Sequence, residues 1–191
     1  MTRLEALKLI AAAYADCPLV VTLGATAREL AGAARADNHL YVLDSMGLPP
    51  AIGLGLALGL EAAAGIEKVV VIEGDGSLLM GLSTLATVGL TQPRKLLLIV
   101  LDNGTYAATG GQATAAGAVD FPALAESCGL RGLRADTPAA LAAALSEARS
   151  IDAPVLLYAP IDQVNTPMPY LLEDPVLLGA TFRQWLGRAV G

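Results

Sequence analysis

Aromatic residues are scarce in these 191 residues, at 4%, and basic charge is in deficit, with twelve Lys and Arg against eighteen Asp and Glu. The formal net charge of −6 and a pI near 4.7 argue against a general nucleic-acid surface. Cysteine is limited to Cys17 and Cys128, far apart and in no metal-ligand spacing, so both read as free thiols in a reducing cytoplasm. His39 is the only histidine; it precedes a strand, lies outside any motif, and reads as a surface or packing residue. Long apolar runs are missing too. The longest uncharged apolar stretch, Met46 to Leu60, is shorter than a membrane span and is broken by Gly and Pro. Residues 1–8 have no apolar core of the secretory kind. Neither a P-loop nor Gly-x-Gly-x-x-Gly follows any strand, which sets a generic nucleotide-binding domain aside. There is no internal repeat and no dividing linker, so the expectation is one domain over residues 1–191.

What is abundant is aliphatic. Hydrophobic residues make up 54%, mainly Ala, Leu and Val, the composition of a tightly packed α/β protein. Thr2-x-x-Glu5 fits a capping box ahead of a helix over residues 3–15. A short buried strand follows at 19–23, then a helix with Thr26 as its N-cap running to about Ala36. A strand at 40–43 precedes a glycine-studded helix at 49–63 that starts on Pro49-Pro50. Strands at 68–73 and 95–101 flank a helix at 78–90. Residues 103–119 contain no charged side chain, and a loop of that length is usually functional or mobile. Helices at 121–127, 137–148 and around 177–186, with strands at 129–134 and 154–158, complete the chain. Six strands alternating with helices predict a doubly wound, mainly parallel sheet with helices on both faces.

Two apolar strands end abruptly in loop chemistry: Val69-Val-Val-Ile-Glu-Gly74-Asp75-Gly76-Ser77 and Leu96-Leu-Leu-Ile-Val-Leu-Asp102-Asn103-Gly-Thr105-Tyr106. Ligands of open parallel sheets bind beyond the carboxyl ends of strands, so Asp75 and Asn103 should share one edge. Both offer hard oxygens that suit Mg²⁺ or Ca²⁺. Gly74 and Gly76 are expected to let the backbone turn sharply and approach a phosphate. A helix starting near Ser77 would present its free N–H groups to that phosphate. The stretch reads as a metal–diphosphate site.

Gly74-Asp75-Gly76-Ser77 after one strand and Asp102-Asn103 after the next resemble the fingerprint of thiamine diphosphate enzymes. Asp44-Ser45-Met46-Gly47 resembles the segment that supports the cofactor's pyrimidine ring. Finer matches at Leu78-Leu-Met80, Thr109-Gly-Gly-Gln112-Ala-Thr114 and Thr26-x-Arg28-Glu29-Leu30 look like sulfopyruvate and phosphonopyruvate decarboxylases, over roughly residues 20–160. The resemblance implies Mg²⁺ bound by Asp75, Asn103 and the carbonyl of Thr105. It implies thiamine diphosphate held by Gly74, Gly76 and Ser77, with Asp44, Ser45, Tyr106, Gly110 and Gln112 contributing. Met46 would be the wedge that bends the cofactor, and the Asp44 carbonyl would accept from its aminopyrimidine. Thr109 joins Gln112 as a possible contact, while Arg28 reads more simply as a surface or interface residue. The family pattern usually has Asn where Asp102 stands, and Gly is commoner at Asp44.

Members of this family activate the cofactor with a glutamate from a pyrimidine-binding domain. Glu61, Glu67 and Glu73 fall on the wrong segments, so the expected catalytic glutamate belongs to a partner chain of alpha type in a hetero-oligomer. The implied activity is a cytoplasmic 2-oxo acid decarboxylase subunit. A carboligase of the acetolactate-synthase type, or a non-catalytic binder of thiamine diphosphate, are the alternatives.

Overall fold

The computed structural model describes residues 1–191. Helix α1 (Arg3–Ala13) opens on the predicted capping box: the Thr2 hydroxyl accepts from Glu5 N at 3.1 Å and Glu5 Oε2 accepts from Thr2 N at 2.8 Å. The chain then alternates through β1 (Leu19–Val21), α2 (Ala25–Ala34), β2 (His39–Tyr41), α3 (Pro49–Gly59) and β3 (Val69–Gly74). After α4 (Asp75–Met80) and α5 (Thr84–Thr91) comes β4 (Leu96–Asp102). A small antiparallel hairpin, β5 (Thr105–Tyr106) and β6 (Gln112–Ala113), lies inside the uncharged loop and is followed by a 3₁₀ turn at Ala116–Ala118. Helix α6 (Phe121–Ser127), β7 (Arg131–Arg134), α7 (Pro138–Ser150), β8 (Val155–Pro160) and α8 (Pro175–Val190) finish the fold.

The main sheet has six strands in the order β2-β1-β3-β4-β8-β7, every pairing parallel. Its strands are continuous apolar runs because both faces are covered. Val70, Ile72, Leu97, Ile99, Val155 and Leu157 point to α1, α2 and α7. Their neighbours Val69, Val71, Leu96, Leu98 and Leu156 point to α3, α4, α5 and α6. Helix α8 lies beside edge strand β2, with Leu178 packed into the first of these layers and Trp185 against the second.

Three sequence expectations need correction. The N-cap position of α2 is Gly24, with φ 74°, and no side chain caps it; Thr26 sits inside the helix. The helix foreseen at 78–90 starts instead at Asp75 and is broken between Met80 and Thr84. The cause is packing: a Cβ on Gly81 would lie 2.2 Å from the Gly47 carbonyl, so the 44–47 turn occupies the groove that a continuous helix would fill. The α3 helix stops at Gly59, short of residue 63. No helix is long and apolar enough to cross a membrane.

Candidate functional site

Strand order decides where the site lies. From β1 the chain runs outward to β2, then returns past β1 to β3 and continues the other way to β4. The connections therefore diverge between β1 and β3, and a crevice opens at their carboxyl ends. A solvent-open cleft, with about 580 Å³ of space counting the solvent at its mouth, occupies that place. One wall is Thr22–Thr26 from the β1–α2 turn; another is Gly74–Ser77; a third is Asn103, Thr105, Tyr106 and Ala107–Thr109; Met46 and Arg3 close the remainder.

Parallel pairing of β3 with β4, Gly74 opposite Leu101, brings Asp75 and Asn103 to one edge as expected. Asp75 is buried, and its Oδ2 accepts from the Thr114 hydroxyl at 2.5 Å. Burial and the charge of Asp102 raise its pKa, while Thr114 and the nearby N–H groups of Gly76 and Asn103 oppose them. Asp102 is pinned on both oxygens, accepting from Gly104 N at 2.8 Å and from the Tyr158 hydroxyl at 2.7 Å. Asn103 Oδ1 accepts from Thr105 N at 3.1 Å, a tight turn that Gly104 completes with φ 67°. The donors gathered here are oxygens, which suit Mg²⁺. No three His, Cys, Asp or Glu side chains converge on a common centre, so a cation here would need donors other than carboxylates beside Asp75. A crowded, desolvated carboxylate with an amide oxygen beside it is a fitting seat for a divalent cation.

The sharp turn expected of the two glycines needs no left-handed backbone. Gly74 has ordinary extended dihedrals, φ −92° and ψ 155°, and Gly76 lies within α4 with no positive φ. A Cβ on Gly76 would come 2.3 Å from the Tyr106 ring and 2.8 Å from Thr114, so this glycine makes room for the hairpin that carries Tyr106. The Ser77 hydroxyl accepts from Gly47 N at 3.0 Å and lies 3.5 Å from the Thr22 hydroxyl, tying the Asp44–Gly47 turn to the diphosphate-type loop. Asp44 adopts φ 59°, an unusual conformation for a residue with a side chain.

Of the predicted contacts, Met46, Gly74, Asp75, Gly76, Ser77, Asn103, Thr105, Tyr106 and Thr109 line the cleft. Asp44, Ser45, Gly110 and Gln112 do not; Gly110 and Gln112 sit on the exposed tip of the hairpin. Arg28 stacks over Tyr170 at 4.8 Å, away from the cleft. His39 is buried and shares a 3.1 Å hydrogen bond with the Tyr41 hydroxyl, a packing role. Glu61 and Glu67 line a separate charged hollow with Lys68, Lys95 and Arg149. Glu73 is wholly buried in β3; burial pushes its pKa up to about 7, against the pull of Thr22, Ser77 and the Gly74 N–H.

Sequence reasoning passed over the β1–α2 turn. There the uncapped N-terminus of a ten-residue helix faces the cleft, an arrangement that favours anions. The signal was Gly24 after a buried strand. It also passed over Arg3, which occupies the buried stripe of α1 with Ala6, Leu7 and Ile10.

Residues 23–159 match the family described as thiamine pyrophosphate enzyme, C-terminal TPP binding domain, and the chain belongs to that family. It is similar to phosphonopyruvate decarboxylase of Streptomyces viridochromogenes, 43% identical over 162 residues, which are 84% of this chain and 40% of that protein. It is also similar to sulfopyruvate decarboxylase subunit beta of Methanothermobacter thermautotrophicus, 37% identical over 175 residues, 91% of this chain and 89% of that subunit. The chain thus spans about 40% of the length of the phosphonopyruvate decarboxylases it matches, and most of the beta subunit. Benzoylformate decarboxylase from Polynucleobacter necessarius shares the fold, with a TM-score of 0.72 and 19% identity over 85% of this chain and 33% of that one.

Proposed function

We propose that this chain holds the diphosphate end of thiamine diphosphate through Mg²⁺ and serves as one half of a 2-oxo acid decarboxylase. The observation that carries this reading is the convergence of Asp75 and Asn103 with the uncapped start of α2 in one crevice. Asp75, the Asn103 amide oxygen and the Thr105 carbonyl would hold Mg²⁺. N–H groups of Ala25, Thr26, Gly76 and Ser77 would hold phosphate oxygens. Met46 would stand beneath the bend of the cofactor. The Asp44 carbonyl would take the aminopyrimidine, and Tyr106, on the wall against Gly76, would exclude water. When bound, thiamine diphosphate supplies the carbon nucleophile that attacks the keto carbon and accepts the electrons released with CO₂.

A pyrimidine-binding partner of alpha type would contribute the activating glutamate. In support, no glutamate lines the cleft, and much of the chain aligns with a protein named a beta subunit. The substrate class is a 2-oxo acid with a phosphonate or sulfonate tail, following the names of two relatives. A cytoplasmic setting suits the free thiols Cys17 and Cys128.

The test is calorimetric titration with thiamine diphosphate plus Mg²⁺, alone and with candidate partner chains, beside Asp75→Ala. Binding should require Mg²⁺ and disappear in the variant, and CO₂ release from sulfopyruvate or phosphonopyruvate should appear only with the partner. Equal binding by Asp75→Ala would overturn the metal assignment. Product analysis with pyruvate and an aldehyde acceptor would expose a carboligase instead.

A further inference from the structure

Helix α1 brings to the cleft a charged group that the proposed chemistry leaves unused. Arg3 is only 4% exposed, yet it lines the cleft beside Thr22, Gly24 and Thr26, and no other cationic side chain does. Its Nη1 donates to Glu29 Oε1 at 2.9 Å and to Asn165 Oδ1 at 2.8 Å. No hydrogen bond within the chain engages Nε or Nη2. Neither atom is sealed away, because the buried side-chain atoms without a partner are Glu29 Oε2, Glu61 Oε2 and Glu73 Oε2. One edge of the guanidinium is therefore held and the other makes no hydrogen bond within the chain.

The ion pair with Glu29 uses one carboxylate oxygen only. Here Glu29 Oε1 also accepts from Thr166 N at 3.0 Å while Oε2 is left bare. Glu29 lies one turn along α2 from Thr26, so it holds the guanidinium next to the helix start. A planar fork with free N–H groups matches the oxygens of a tetrahedral oxyanion, and the helix start adds its partial positive charge.

We propose that Arg3 binds a phosphoryl-type oxyanion at the start of α2, with Glu29 as its positioning residue. This deepens the proposed function and rests on it. Two sources offer that chemistry: the diphosphate of the cofactor and the phosphonate or sulfonate tail of a substrate.

The experiment is calorimetry on the full chain in Mg²⁺, with inorganic pyrophosphate and phosphonoacetate as probes and Arg3→Met, Glu29→Gln and Asp75→Ala as variants. Arg3→Met should weaken one probe by about tenfold or more. Glu29→Gln leaves the arginine charge unopposed and should tighten the same probe. Opposite signs separate ligand binding from a structural role, which would weaken binding in both variants. An effect on pyrophosphate assigns the group to the cofactor; an effect on phosphonoacetate assigns it to the substrate tail. Should Arg3→Met fail to fold by circular dichroism, the sign of the Glu29→Gln effect decides, and weaker or unchanged binding overturns the proposal. Unchanged binding of both probes by folded Arg3→Met, with pyrophosphate still dependent on Asp75, overturns Arg3 alone. Absence of any Asp75-dependent pyrophosphate binding by the native chain overturns the metal–diphosphate reading along with it.

Discussion

Asp75 is held against its own charge. Burial and Asp102 favour its protonated form, and the Thr114 hydroxyl counters them. Thr114 is thus the partner that orients the carboxylate, and such partners typically set metal affinity by factors of 10–100. Thr114→Val should raise the Mg²⁺ concentration for half-maximal pyrophosphate binding by about tenfold; an unchanged midpoint would leave Thr114 with a purely local role in the hairpin. A second residue contributes to acid sensitivity. Burial, helped by the charge of Arg35, pushes His39 down from 6.5 to about 4. The unfolded chain therefore binds a proton between those values while the folded chain does not. The His39 contribution to stability is complete above pH 6.5 and is lost as the pH drops towards 4, by about 3 kcal/mol at most, while buried Glu73, raised to about 7, acts in the opposite sense. On acidification from pH 6.5 to 4, His39→Gln should gain unfolding free energy relative to the native chain by about that amount. A difference between the two chains that stays constant with pH would assign the acid loss to other groups.

At the scale of elements, helix α3 uses its small residues in two directions. A Cβ on Gly53 would sit 2.1 Å from Val71 Cγ2, so this glycine sets how closely α3 lies on β3. Gly55 and Gly59 face open space. Gly53→Ala should destabilise by about 1–3 kcal/mol through overpacking. Gly55→Ala should instead stabilise the isolated chain by roughly 0.5–1 kcal/mol, since it only removes helix-interior glycine. Urea unfolding of the two variants checks the pair, and equal effects would refute the difference in packing. At the opposite edge from the cleft, Lys95 donates to the Leu60 and Ala63 carbonyls at 2.9 and 2.6 Å, and Lys68 to the Arg94 and Ile151 carbonyls at 2.9 and 2.6 Å. These lysines satisfy carbonyls where helices and loops end, which explains why charge is buried there without any catalytic context.

For the whole molecule, the segment between β8 and α8 acts as a strap along α2. Asn165 and Thr166 meet Arg3 and Glu29, Met168 covers Gly32, Tyr170 lies under Arg28, and Glu173 pairs with Arg35. The contacts recur at 28, 29, 32 and 35, one face of a helix. Helix α8 then covers edge strand β2. Removing residues 162–191 should lower the melting temperature and produce self-association on gel filtration, because an uncovered sheet edge is a template for pairing. A truncated chain that stays monomeric with native melting would show the strap to be dispensable.

Local chemistry by itself determined most of the elements and brought out Asp75 and Asn103 as a pair at adjacent strand ends. Fully buried strands read as continuous apolar runs, Thr2 and Glu5 announce a helix start, and Gly74-Asp75-Gly76-Ser77 with Asp102-Asn103 marks two strand ends. Each of these signals spans only a few neighbouring residues. Strand order is a different matter: it is set by which helices cover which face, and it placed the β1–α2 turn beside Gly74–Ser77 to make the crevice. The same holds for the break after Met80, imposed by Gly47, and for Gly76, whose missing side chain serves Tyr106. Arg3, Glu29 and Asn165 meet across separations of 26 and 162 residues. Such a meeting leaves no local trace beyond an arginine in an apolar stripe. Tertiary packing alone decided it, because a buried charge is tolerated only where distant parts of the chain converge to satisfy it.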